Sequence, residues 1–351
     1  MPQYDPGMAE VAATPRSRRS VPALLTALRE PDALGRAKRK ITSRYVLDVG
    51  RGFDSVVFVA GTGRSGTTWL ADLVNADNGG RMIFEPFAPE VGAFGMRVPP
   101  QYIRPDDDDP QLVADVRAVL LGKVAPTRWT GKSNNRLFAR RRIIKDVQSN
   151  LRLAWLRRQF PPFPIILILR HPCAVAGSRH RLGDDLKLSF SRLLAEPHLV
   201  EDHLAPFADE LFALETPFER AVARWCIDTL VPLRQLAADP FEITCVFYEH
   251  LVTQPEPVLG QIFAALGRKP PPQVWRQFET PSHTAFRAGQ PLERTRSAVD
   301  EWQHRLSRQE IDRALELVEL FGLGSLYGRD VEPRLPVGTP VSLASSAPCS
   351  G

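Results

Sequence analysis

Residues 56–74 constrain the fold more than any other part of this 351-residue chain, because an apolar run passes into a glycine-rich loop and then into a helical pattern. The run Val56–Ala60 predicts a buried strand, and Thr67–Asn75 predicts a helix with its apolar residues on one face. Glycines between them let successive N–H groups face one point, where the helix start adds its own N–H groups and positive dipole end. The segment therefore predicts an anion-binding loop between a strand and a helix.

Short β-branched runs alternate with helical patterns along most of the remaining chain. The other predicted strands are Arg81–Phe84, Arg142–Asp146, Ile165–Leu169 and Ile243–Tyr248. The other predicted helices are Asn150–Gln159, Pro172–Arg181, Pro217–Leu236, Pro255–Leu266 and Ser307–Phe321. Nearly continuous apolar runs are typical of parallel strands covered on both faces. This alternation predicts the α/β class, with a doubly wound, mostly parallel sheet flanked by helices in a single domain, and the anion-binding loop makes that fold P-loop-like.

Composition divides the chain into three parts. Residues 1–50 are rich in Arg, Pro, Ala and Ser and predict a basic, partly disordered N-terminal arm. Residues 51–330 carry the alternating pattern and predict the P-loop-like domain. Residues 331–351 are rich in Pro and Ser and predict a disordered tail.

Charge and cysteine usage exclude several function classes. Lys and Arg number 45 against 40 Asp and Glu, an excess that fits either a general preference for Arg or a basic cleft for an anionic ligand. Basic residues do not interleave with aromatic residues in a stripe, which argues against nucleic acid as a partner. The four cysteines show no metal-ligand spacing, so no metal site is expected.

No apolar run is long enough for a transmembrane segment, and no secretory signal is visible, so the expected location is cytoplasmic.

The anion-binding loop differs from the nucleotide triphosphatase loop G-x-x-x-x-G-K-[ST] at one position. Gly61 and Gly66 have the right spacing, but Thr67 stands where the Lys that reaches the β- and γ-phosphates would be. This difference disfavours triphosphate chemistry. Arg64 would supply the cation instead, and its planar guanidinium suits tetrahedral oxyanions.

A second motif lies about a hundred residues further on, where a predicted strand ends at Arg170. Pro172 suits a first helical turn, and Ser178 follows about two turns later. Open α/β sheets bind ligands at the carboxyl ends of their strands, so Arg170 and Ser178 could converge on one phosphate. The alternative is that Arg170 is a structural cation and Ser178 a packing hydroxyl.

Both motifs resemble those of sulfotransferases that depend on 3′-phosphoadenosine-5′-phosphosulfate (PAPS). The run R-S-G-T-T-W-L resembles their 5′-phosphosulfate loop, and R-x-P followed by A-x-x-x-S-R resembles their 3′-phosphate motif. The resemblance extends over residues 56–323 or so, and an Arg before Ser-Gly-Thr-Thr is closest to the carbohydrate-type enzymes. It implies a phosphosulfate site and a 3′-phosphate site, formed respectively by Gly63, Arg64, Ser65, Gly66, Thr67 and Thr68, and by Arg170 and Ser178.

Two further segments resemble parts of the same family. The run Phe247–Leu251 is similar to its Y-E-D-L segment, which implies that Tyr248 lies near the adenine, although His250 replaces the usual Asp. Arg294 and Arg296 resemble residues of the loop that closes over the nucleotide. The alternative for these two arginines is a solvated basic loop.

Sulfuryl transfer needs a group that accepts the proton of the acceptor, and the first candidate is Glu85. Pro86 disfavours a helix at Glu85 and so places its carboxylate at a strand end. The segment resembles the E-P segment of carbohydrate-type sulfotransferases, where the Glu is a proposed base. A capping or surface Glu is the bland alternative. Lys145 ends another predicted strand and either contacts sulfuryl oxygens or pairs with Asp146.

A histidine base, as in the phenol-type enzymes, is the other possibility, with three candidates in His171, His180 and His283. None of them falls in the pattern of that branch.

Taken with the resemblance, these features predict a PAPS-dependent sulfotransferase that needs no metal. Its acceptor would be a hydroxyl or amine of a carbohydrate or another small molecule. The alternatives are a P-loop kinase or nucleotide hydrolase, and a protein that binds an anionic ligand without catalysis.

Overall fold

A computed structural model describes residues 46–88, 99–123, 131, 137–181, 186–280, 286–287, 290–291 and 297–341. These residues belong to one compact unit that begins at Thr42. Their strands are β1 (Leu47–Asp48), β2 (Val56–Ala60), β3 (Gly80–Phe84), β4 (Phe138–Ala139), β5 (Arg141–Asp146), β6 (Ile165–Leu169), β7 (Thr244–Phe247), β8 (Phe286–Arg287) and β9 (Gln290–Pro291).

Helices of the described residues connect the strands of the main sheet, and further helices follow its last strand, β7. The α-helices longer than three residues are α1 (Thr67–Val74), α2 (Pro110–Leu120), α3 (Leu153–Gln159), α4 (Pro172–Arg181), α5 (Leu186–Leu194), α6 (Ala208–Ala213), α7 (Pro217–Ala238), α8 (Tyr248–Thr253), α9 (Pro255–Ala265), α10 (Gln273–Glu279), α11 (Ser297–Arg305) and α12 (Arg308–Leu320). The longest, α7, begins where Thr216 and Glu219 form a capping box and Pro217 takes the first helical position.

The main sheet has five strands in the order β3-β5-β2-β6-β7, and every neighbouring pair is parallel. Its strands are buried on both faces because alternate residues belong to two separate apolar clusters. In β2, Phe58 packs into one cluster and Val59 into the other, and both are fully buried. The sheet confirms the predicted P-loop-like, doubly wound α/β fold.

Strand order explains why ligand-binding loops gather at one edge. From β2 the chain passes through α1 to β3 on one side, whereas from β6 it passes through helices α4 to α7 to β7 on the other side. The loops that follow β2 and β6 therefore separate at the carboxyl edge of two adjacent strands. Such a switch point is where open α/β sheets bind their ligands.

The five predicted strands agree with those of the main sheet to within one residue at each end. Of the predicted helices, Asn150–Gln159 starts with a 3₁₀ turn before α3. Among the described residues no helix is long and apolar enough to cross a membrane. The three-part division of the chain stays a prediction, and within its last part the side chain of Val341 is buried.

Candidate active site

The loop between β2 and α1 has a backbone that only its glycines permit at two points. Gly66 precedes α1 at φ 91°, and a Cβ there would lie 2.7 Å from the ring of Tyr248. Gly61 packs so closely on β6 that a Cβ would lie 2.6 Å from the carbonyl oxygen of Ile168. Arg64 also has a positive φ of 79°, a rare conformation for a side-chain-bearing residue. The loop is therefore a tight turn held against β6 and α8.

Ser65 provides a polar atom that no described residue satisfies. Its side chain is 1% exposed, and its Oγ has no hydrogen-bond partner among the described residues. Thr67 and Thr68, the first residues of α1, are buried beside it. A buried orphan hydroxyl at a helix N-terminus is suited to an anion oxygen, because an unpaired hydroxyl otherwise pays a desolvation cost.

The two predicted phosphate motifs meet through direct hydrogen bonds. Nε of Arg64 donates to Oγ of Ser178 over 3.1 Å, and Nη1 of Arg170 donates to the carbonyl oxygen of Arg64 over 3.1 Å. The Arg170 guanidinium carbon lies 4.2 Å from the ring centroid of Tyr248. Four of the predicted nucleotide-binding residues are thus gathered at one edge of the sheet.

A buried hydrogen-bond network that the sequence does not reveal holds the start of the loop. Oδ1 of Asn150 accepts from the N–H of Gly61 at 2.9 Å, while its Nδ2 donates to the carbonyl of Asp228 at 3.3 Å. The Asp228 carboxylate pairs with Arg224 at 2.8 Å and accepts a hydrogen bond from Thr62. Burial raises the pKa of Asp228, although Arg224 and Thr62 oppose the rise. Helix α7 therefore anchors the first two residues of the loop.

Glu85 and Lys145 form an ion pair on the other side of β2. The N–H of Glu85 donates to the carbonyl of Lys145 at 2.7 Å, and the Glu85 carboxylate contacts Nζ of Lys145. Burial lowers the pKa of Lys145, an effect that Glu85 opposes and that the charge of Arg64 reinforces. Glu85 has a φ of 44°, which strains its backbone at a position predicted to be functional. Lys145 thus lies within electrostatic reach of Arg64 in the loop.

Asp146 is not the ion-pair partner of Lys145, although the sequence left that possibility open. One oxygen of its carboxylate accepts from the N–H of Phe87, and the other accepts from the N–H of Gln148 and the hydroxyl of Ser149. Asp146 ends β5, the strand next to β2, and P-loop nucleotide triphosphatases use an Asp to hold Mg²⁺. Here both oxygens already accept hydrogen bonds from the chain. Among the described residues no group of three or more His, Cys, Asp or Glu could hold a metal ion.

His171 is a structural residue rather than a base. It is fully buried, and its ring stacks on Trp302 with 4.1 Å between centroids. Its Nε2 faces the carbonyl of Gly328 at 2.9 Å, and its Nδ1 accepts from the N–H of Cys173. Burial lowers the pKa of His171 to about 4, so the ring is neutral near pH 7. His180 is exposed on α4, and His283 lies outside the described residues.

A model described as "Sulfotransferase family" matches residues 56–272, which is more than half of the chain and includes both motifs. The chain belongs to the sulfotransferase family. This match confirms the predicted membership of the PAPS-dependent sulfotransferases and the prediction of an enzyme of that class. A comparison with curated proteins found no match.

Solved structures that resemble this sulfotransferase are distant in sequence. A sulfotransferase domain from the curacin biosynthetic pathway is 16% identical, over 76% of this chain and 97% of that domain, with a TM-score of 0.42. A sulfotransferase domain from the olefin synthase of Synechococcus PCC 7002 is 18% identical, over 79% and 95%, with a TM-score of 0.41. A retinol dehydratase in complex with retinol and PAP is 17% identical, over 76% and 81%, with a TM-score of 0.37.

Aromatic residues that were not predicted for the site lie beside the loop of this sulfotransferase. Trp69 contacts Tyr248 edge-on at 5.8 Å between centroids, and the half-buried Phe278 of α10 lies 5.2 Å from Trp69. The W in R-S-G-T-T-W-L was the available sequence signal for Trp69, whereas nothing near Phe278 indicated a role. Arg294 and Arg296, predicted to touch the nucleotide, lie outside the described residues.

Proposed function

We propose that this sulfotransferase transfers a sulfuryl group from PAPS to a hydroxyl or amine of a carbohydrate or another small molecule, with Glu85 as general base. One observation carries the proposal. Arg64 and Arg170, the cations of the two predicted phosphate motifs, are joined by a hydrogen bond. The positive charge of Arg64 also helps to lower the pKa of Lys145, the ion-pair partner of Glu85. Cofactor groups and candidate base therefore belong to one connected site.

The residues present suit PAPS as the co-substrate. The loop offers N–H groups, the orphan hydroxyl of Ser65 and the guanidinium of Arg64 to a phosphosulfate. Arg170 and Ser178 would hold the 3′-phosphate. Tyr248 and Trp69 provide aromatic surface for the adenine, since bases stack on aromatic side chains.

The chemistry requires a proton acceptor and positive charge near the leaving group. An acceptor oxygen or nitrogen bonds to sulfur as the bond from sulfur to the phosphate oxygen breaks, and 3′-phosphoadenosine-5′-phosphate (PAP) leaves with that electron pair. Glu85 would take the proton, and Lys145 would compensate the negative charge on the leaving phosphate together with Arg64. A well-placed base contributes roughly 10²–10⁴-fold in rate, and such charge compensation is often the larger contribution.

The competing proposal of a P-loop kinase or nucleotide hydrolase has less support. Thr67 replaces the Lys that contacts the β- and γ-phosphates. Asp146, the carboxylate at the end of β5, accepts hydrogen bonds from Gln148 and Ser149 of its own loop and from the Phe87 N–H after β3. For the acceptor, the similarity of Arg64 and Glu85 to carbohydrate-type enzymes makes a sugar hydroxyl the first candidate.

Calorimetric titration with PAP, beside ATP with Mg²⁺, tests the co-substrate. We expect micromolar binding of PAP and little binding of ATP. Tight ATP binding without PAP binding would overturn the proposal and favour phosphoryl transfer. A panel of oligosaccharides, lipid hydroxyls and amines, assayed with radiolabelled PAPS, then tests the acceptor. Transfer to a lipid alone would refute the carbohydrate assignment and retain the sulfotransferase activity.

A further inference from the structure

The peptide group between Arg170 and His171 is held from both sides. Its carbonyl oxygen accepts from Nε1 of Trp225 in α7 over 2.9 Å, and its N–H donates to Oε1 of Glu249 in α8 over 2.9 Å. This peptide lies at the turn from β6 to α4, from which the Arg170 side chain projects. The two hydrogen bonds therefore fix the backbone from which the Arg170 side chain extends.

Tyr327 contacts both residues that hold this peptide. Its hydroxyl donates to Oε2 of Glu249 at 2.8 Å, and its ring packs edge-on against Trp225 with 6.0 Å between centroids. The ring also meets His171 edge-on at 5.1 Å, and the next residue, Gly328, accepts a hydrogen bond from His171. Tyr327 is fully buried, so these contacts are made away from solvent.

The segment that contributes Tyr327 lies beyond the family match, which ends at residue 272. It also supplies Trp302, which stacks on His171. Three separate contacts from this segment thus converge on the residue that follows Arg170. A packing role alone would not require a hydroxyl hydrogen-bonded to a buried carboxyl group, because burying polar groups carries a desolvation cost.

We propose that Tyr327 is a positioning residue for Arg170, which presupposes the function proposed above for Arg170 as the cation of the 3′-phosphate. The Tyr327 hydroxyl holds the Glu249 carboxylate in the orientation that accepts from the Arg170–His171 peptide. That peptide in turn aims the Arg170 guanidinium at the 3′-phosphate of PAPS or PAP. Binding groups need support of this kind, because small errors in their direction weaken recognition.

The test compares binding of PAP and of adenosine 5′-phosphate, which lacks the 3′-phosphate. Their affinity ratio reports the contribution of that phosphate. In Tyr327→Phe we expect PAP affinity to fall roughly tenfold, the upper end of what the loss of one hydrogen bond contributes. Affinity for adenosine 5′-phosphate should stay within about twofold. A general loss of structure would lower the affinities for both ligands and leave the ratio of the two affinities unchanged. That result would overturn the proposal.

Tyr102→Phe is the matched control. Its hydroxyl also donates to a carboxylate over 2.8 Å, that of Asp202, and its side chain is 5% exposed. The hydroxyl of Tyr102 contacts Asp202 and His203, and neither Arg170 nor the phosphate loop is among these partners. We expect this variant to keep the wild-type ratio of affinities. A fall equal to that of Tyr327→Phe would attribute the effect to the loss of any buried tyrosine hydroxyl and overturn the proposal.

Two more variants separate the possible failures. If Tyr327→Phe does not fold, Trp225→Phe removes the donor to the other side of the same peptide and should lower the ratio in the same way; an unchanged ratio overturns the proposal. Arg170→Ala should abolish the preference for PAP. If it does not, the proposed function of Arg170 is wrong. If it does while Tyr327→Phe keeps the preference, only the positioning role is wrong.

Discussion

The Glu85 carboxylate is paired with the Lys145 ammonium where two neighbouring strands end. Phe84 and Lys145 are register partners in β3 and β5, so the residue after Phe84 reaches the Lys145 side chain directly. Lys145 is almost completely buried, whereas part of the Glu85 side chain remains exposed. The carboxylate of the pair is therefore the more accessible group, and the ammonium lies within the protein. This arrangement suits a general base that is held in place by a buried cation.

Glu85→Gln should lower kcat by roughly 10²–10⁴-fold, the usual contribution of a general base, because the amide cannot accept the acceptor's proton. PAP affinity should change by less than about twofold, since Glu85 is not proposed to touch the nucleotide. Steady-state kinetics and calorimetry measure the two effects. Glu319→Gln, an exposed carboxylate on α12, is the control and should keep wild-type turnover. Wild-type turnover in Glu85→Gln would remove Glu85 as the base.

Local patterns were sufficient to predict the strands that carry the site. The strand β6 has five consecutive buried residues, and Val56–Ala60 is predicted and observed with the same ends. Both signals lie within a few residues of sequence. The loop was predictable for the same reason, because Gly61 and Gly66 have fixed spacing within one turn.

Residues that support the site were not predictable because they are distant in sequence. Asn150 lies 89 residues after Gly61, and Tyr327 lies 78 residues after Glu249. A single Asn or Tyr belongs to no sequence pattern that predicts a partner so far away in the chain. The pairing of Lys145 with Glu85 rather than Asp146 likewise depends on strand order, which places β3 beside β5. Such contacts follow from topology and not from spacing.

Gly66→Ala should destabilise the protein by about 2–4 kcal/mol, because Gly66 has a φ of 91° and a Cβ would meet the Tyr248 ring at 2.7 Å. Gly63→Ala, in the same loop, is the control for stability, since a Cβ there has no atom within 4 Å. Urea denaturation of both variants measures the difference. Equal losses in the free energy of unfolding would contradict the close packing of the loop on α8.

Glu249→Gln should change how stability depends on pH. Burial raises the pKa of Glu249 to about 7 from the usual 4.5, despite hydrogen bonds from the His171 N–H and Tyr327 and the charge of Arg170. Between these two pH values the folded protein therefore holds a proton that the unfolded chain has released. The contribution of Glu249 to the free energy of unfolding is greatest below pH 4.5 and is lost as pH rises towards 7.

The buried His171 contributes with the opposite sign over an overlapping range, because burial lowers its pKa to about 4 and its contribution is lost as pH falls. Wild-type stability alone would hide the two opposing slopes. The difference in the free energy of unfolding between wild type and Glu249→Gln isolates the carboxyl group, because His171 is present in both. As pH rises from 4.5 to 7, the wild type should lose on the order of 2–3 kcal/mol of unfolding free energy relative to Glu249→Gln. Urea denaturation at a series of pH values measures it, and a constant difference would mean that Glu249 has an ordinary pKa and is not isolated from water.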